Sequence, residues 1–93
     1  MATYITLYNY QGPIKGGGPD RFKKVQEVLE TGGGKFLQVW GLLGSYDIVS
    51  VGEFPDNHCA MKCIAKVGNI INATTHTMPA IERDDFLQIL TEL

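Results

Sequence analysis

The chain reads as an α+β domain of ferredoxin-like order, β-α-β-β-α-β, with a four-stranded antiparallel sheet, both main helices on one face and a short C-terminal helix. Three observations predict this. Four segments are rich in β-branched and aromatic residues at strand spacing. Two segments, one after the first strand and one after the third, carry apolar residues at i, i+3 and i+7, the period of a helix buried on one side. Glycine and proline clusters separate the segments.

Thr3 to Tyr10 alternates cleanly, with Ile5 and Leu7 on one side and Tyr4, Thr6, Tyr8 and Tyr10 on the other. Gln11 to Pro19 holds four glycines and two prolines and reads as a long loop. Pro19 and Asp20 suit the first turn of a helix whose stripe is Phe22, Val25, Val28 and Leu29. Gly32-Gly33-Gly34 ends it. Lys35 to Leu43 and Tyr46 to Phe54 form an antiparallel hairpin turning at Gly44-Ser45. Simple alternation puts Leu37, Val39 and Leu43 on one face of the first hairpin strand and Phe36, Trp40 and Leu42 on the other. A single helix layer covers only one face of a sheet, so a second copy is expected to cover the other.

Asp56 is placed to cap a second helix with the stripe Ala60, Cys63, Ile64 and Val67, stopped by Gly68-Asn69. Ile70 to Met78 reads as the fourth strand, ended by Pro79. Glu82 to Leu93 reads as a terminal helix docking through Phe86, Leu87 and Leu90.

With 93 residues the chain has room for one domain, here 1–93. Hydrophobic residues at 44% and charged residues at 19% argue for a packed core rather than disorder. A formal charge of −2 without a basic stripe argues against nucleic acid as a partner. No apolar run approaches the ~20 residues that span a bilayer. The N-terminus lacks the charged and apolar segments of a signal peptide, and only two cysteines occur, so a cytoplasmic protein is expected.

The run Leu42-Leu43-Gly44-Ser45-Tyr46-Asp47-Ile48-Val49 carries Gly44, Tyr46 and Asp47 in a pattern that resembles the signature of the GYD domain family. The opening Met1 to Leu7, the Glu53-Phe54-Pro55-Asp56 run and the stretch from His76 through Phe86 also resemble that family. The resemblance implies kinship with the dimeric α/β-barrel proteins, in which two ferredoxin-like sheets pack face to face. That wider group includes cofactor-independent monooxygenases, isomerases, haem enzymes and amino-acid-sensing domains. It implies no particular activity and no cofactor, since one fold hosts many functions.

The residue types offer one candidate ligand site. Tyr8, Trp40, Asn72 and His76, with Tyr46 and Asp47 from the turn, are expected to gather on the sheet face away from the helices. There they would line a small-molecule pocket or fill an interface between copies. Histidine as a residue type suits acid–base work near neutral pH, which makes His76 the best such candidate, acting with Tyr8 or Asn72. His58, Cys59 and Cys63 invite a metal reading, but they form a single short cluster where tetrahedral zinc needs three or four ligands, so no metal site is assigned. Gly16-Gly17-Gly18 before a helix lacks the ending of a phosphate loop, although Lys15 beside it can reach an anion. The expected function is a homo-oligomeric, non-enzymatic module binding a small ligand or a partner. The alternative is a cofactor-independent enzyme using the aromatic face.

Overall fold

The computed structural model describes residues 1–13 and 18–93. Residues 14–17 of the glycine-rich stretch expected to be a loop, including Lys15, lie outside the described residues. The element order is β1 (Ala2–Tyr10), α1 (Gly18–Thr31), β2 (Lys35–Gly41), β3 (Ile48–Phe54), α2 (Asn57–Ile71), β4 (Ala73–Ala80) and α3 (Arg83–Thr91). The strands form one antiparallel sheet in the order β2-β3-β1-β4, as a ferredoxin-like fold requires.

Both long helices pack on one face of this sheet. Val25 and Leu29 of α1 and Ala60, Cys63, Ile64 and Val67 of α2 are buried there, as the spacing predicts, joined by Ile71, which the alternation assigns to the fourth strand; Phe22 of the predicted stripe is 43% exposed. Asp56 caps α2 by accepting from the Cys59 amide at 2.8 Å through Oδ1. The helix runs past Gly68-Asn69 and ends at Asn72, whose φ of 54° is left-handed and whose amide donates to the Gly68 carbonyl. Asn72 is therefore a helix cap and not a strand residue, and β4 starts after it.

The helices cover the opposite face of β1 from the one its aliphatic residues suggest. Tyr4, Thr6 and Tyr8 point into the core, and Ile5 and Leu7 point away from the helices. The aromatic side of β1 carries hydroxyls, and each finds a partner: Tyr4 donates to Asn57 Oδ1 (2.5 Å), Thr6 bonds Thr77 (3.0 Å) and Tyr8 bonds Ser50 (2.8 Å). Burying a tyrosine hydroxyl is tolerable under this condition, and the rings then supply more core volume than isoleucine or leucine would.

β2 departs from simple alternation. A bulge between Phe36 and Gln38 inserts Leu37 opposite β3. Phe36 and Val39 consequently share the helix side, while Gln38 and Trp40 share the other, so Phe36 and Trp40 are separated. Phe36 stacks with Phe22 of α1, ring centroids 6.4 Å apart. At the end of α1, Gly34 passes so close to the Phe54 ring that a Cβ there would clash with it.

α3 packs against no other described element. Phe86, Leu87, Ile89 and Leu90 are all roughly half exposed. No described element of the chain receives the docking expected of this helix. The Cα radius of gyration is 14.2 Å, against about 12 Å for a compact domain of this length. None of the described helices is long and apolar enough to cross a membrane.

Candidate functional site

The two faces of the sheet divide the residues expected to work together. Tyr8 lies on the helix side, 2% exposed, with Ser50 as its hydroxyl partner. An apolar cavity of about 320 Å³ opens beside this pair, between α1 and the β1–β3–β2 part of the sheet. Phe22, Val25, Phe36, Val39 and Ile48 wall it, and Arg21 borders it.

The other face presents two cross-strand rows. One runs Trp40–Val49–Leu7–His76 and the next Gln38–Val51–Ile5–Met78. Trp40 is 59% exposed. It stands at one edge of the sheet and His76 at the other, three strand spacings away, on the order of 14 Å. Asn72 caps α2 and donates to the Gln11 carbonyl at 3.3 Å. Tyr8, Trp40, Asn72 and His76 therefore do not converge within one chain. Tyr8 cannot serve His76 as an acid–base partner, because the sheet separates them.

Burial pushes the Tyr8 phenol above its ordinary value, against weaker downward pulls from its hydrogen bonds to Ser50 and Thr6. The folded state thus holds this proton more tightly than the unfolded chain does. The stabilisation is intact below about pH 10, where a free phenol ionises, and is lost as the pH rises through the higher folded-state value. Urea unfolding from pH 8 to 11 should show this loss. Tyr8→Phe should flatten that part of the profile relative to the parent.

The turn from β2 to β3 holds the remaining candidates. Gly44 has φ 128°, a region that side-chain-bearing residues rarely adopt. The Leu42 amide donates to the Asp47 carbonyl (2.8 Å), and the Asp47 amide donates to the Tyr8 carbonyl (2.9 Å). The Asp47 carboxylate accepts from the Tyr10 amide at 2.8 Å. Tyr46 meets the His76 ring edge to face, centroids 5.9 Å apart. Gly44 thus shapes the turn, while Asp47 joins it to β1 and Tyr46 to β4. The model of the GYD domain matches residues 4–90. The chain belongs to the GYD domain family.

In this GYD domain the signature residues act on the scaffold. Asp47→Ala would leave the Tyr10 amide without its charged acceptor and should cost about 1–3 kcal/mol in urea unfolding. The fold is similar to that in the crystal structure of the Mycobacterium tuberculosis leucine response regulatory protein LrpA, with a TM-score of 0.66 at 10% identity. The match covers 87% of the GYD chain and 51% of the regulator, so the chain spans about half of that protein's length. No curated protein matches the chain.

Cys59 and Cys63 both turn toward the end of α1. Cys59 Sγ donates to the Gly32 carbonyl at 2.9 Å, and Cys63 lies buried where a Cβ on Gly32 would strike its sulfur. Burial, and then the neighbouring Cys59, raise the Cys63 thiol above its ordinary value. Among the described residues no group of three histidine, cysteine, aspartate or glutamate side chains is placed to hold a metal ion. Sequence reasoning passed over Arg21 and Ser50. The signal for Ser50 was a lone hydroxyl inside the apolar run Ile48-Val49-Ser50-Val51. The signal for Arg21 was a cation in the first turn of a helix, where the dipole disfavours it.

Proposed function

We propose that the GYD domain, acting as a single unit in the cytoplasm, is a self-associating module in which two copies bury their open sheet faces against each other in the dimeric α/β-barrel manner. The observation that carries this reading is α3. A helix of nine residues is marginal in water unless its apolar side is covered, and α3 has no cover among the described elements of its own chain. The open face has the complementary need. Ile5, Leu7, Val49, Val51 and Met78 make an apolar centre flanked by Trp40, which is the composition of an interface core. A second copy supplies both surfaces at once, because a two-fold contact brings each copy's helix and face to the other. The free thiols of Cys59 and Cys63 suit a reducing compartment.

Sedimentation velocity of the purified protein at micromolar concentration tests this directly. A species of at least twice the 10.2 kDa chain mass is expected. A monomer at that concentration would remove the reading.

A further inference from the structure

The helix side of the sheet carries a second feature that self-association does not use. The cavity beside Tyr8 has a volume of about 320 Å³, at the lower end of the ~300–1,000 Å³ range of small-molecule sites. Its walls are mostly apolar and include the Phe22 and Phe36 rings, stacked 15° from parallel. Such walls suit one flat ring.

Two polar groups break this apolar lining. Tyr8 and Ser50, each 2% exposed, share a hydrogen bond of 2.8 Å in which either can donate. Because the direction of that bond is free, the pair can turn a lone pair or a hydrogen toward an incoming hydroxyl. Arg21 is the other group. It is half-buried, and among the described residues it forms no ion pair and no hydrogen bond. An arginine partly covered in this way lays its stem along apolar surface and leaves its charged head for a partner. This one also sits in the first turn of α1, where the helix dipole adds positive charge to positive charge. An anion at Arg21 would meet the positive end of the helix as well as the guanidinium, and a carboxylate matches the planar fork of donors that arginine presents.

We infer that this cavity is a binding site for a small aromatic carboxylate, with its ring between the walls of Phe22, Val25, Phe36 and Val39, its carboxylate on Arg21 and any ring hydroxyl directed to Tyr8 and Ser50. The site lies across the sheet from the open face, so it is independent of the proposed dimer contact, and a monomeric variant retains it.

Titration of the isotope-labelled protein with 4-hydroxyphenylacetate, followed by amide chemical shifts, tests the site. Saturable binding is expected, with the largest shifts in α1, β2 and the centre of β3. The corresponding neutral amide should bind at least tenfold more weakly. Arg21→Gln should weaken the carboxylate at least tenfold and leave the amide unchanged, so that the two ligands become equal. Val39→Phe, at a cavity wall 40% exposed to solvent, should fill the space and abolish binding of both while the spectrum stays folded. Shifts that fail to saturate at millimolar ligand, equal affinity for acid and amide in the parent, or full carboxylate binding by Arg21→Gln would each overturn the inference.

Discussion

Phe54→Ala should destabilise the GYD domain by about 3–5 kcal/mol, a large part of what holds a small domain folded. Phe54 is 1% exposed and ends β3 in the middle of the helix–sheet core. Its ring meets Tyr4 edge to face at 5.6 Å and fills the space left by the missing side chains of Gly34 and Gly52. That arrangement makes a second, sharper expectation. Gly34→Ala alone should cost about 1–3 kcal/mol, since its methyl meets a ring with nowhere to move. In the Phe54→Ala background the same methyl enters a cavity, and most of its cost should vanish. Urea unfolding of the four proteins in the cycle would show a coupling of about 1–3 kcal/mol. Additive losses would mean that the obstacle is the Glu53 carbonyl, 3.1 Å from the same methyl, and not the ring.

Leu7→Asp should separate the two copies. Leu7 lies in the row Trp40–Val49–Leu7–His76, with Val49 on one side and His76 on the other. A carboxylate there would be buried without a partner in the assembly and hydrated in the monomer, a difference of about 2–4 kcal/mol, or roughly 30- to 1,000-fold in dissociation constant. Because Leu7 points away from α1 and α2, the core should survive, and far-UV circular dichroism should retain the signal of those helices. The contribution of α3 should fall with dissociation, since the helix loses its cover. Trp40→Ala on the same face should shift the equilibrium in the same direction. A Leu7→Asp protein that sediments like the parent would place the contact elsewhere.

The element order, the helix stripes and the Asp56 cap were all legible because each rests on local chemistry repeated over several residues. The side of the sheet that the helices cover was not. β1 is apolar on both faces, and alternation reports that two faces exist without saying which is buried; the matching hydroxyls of Ser50 and Thr77 and the amide oxygen of Asn57 decide it, and they lie far away in sequence. The bulge at Leu37 then reverses the parity of β2 after Phe36, which no period-two count can detect. Asn72 was misplaced because Gly68-Asn69 reads as a helix stop and the alternation from Ile70 onward runs through it, whereas α2 continues to Ile71 and is capped by Asn72. The expected pocket failed through these steps, since it required Tyr8, Trp40, Asn72 and His76 to share one surface. The GYD turn was readable as a turn, but its bonds to Tyr8 and Tyr10 are tertiary.

The bulge in β2 has a consequence for growth of the sheet. β2 and β4 are the edge strands, and an unprotected edge is a template on which further chains can add by backbone pairing, without limit. The inserted residue interrupts the ladder spacing along one edge, and Pro79 within β4 removes an amide donor along the other. Both borders are thus poor docking lines for a foreign strand. The protein should therefore resist fibril seeding and remain a closed particle of defined size even at high concentration.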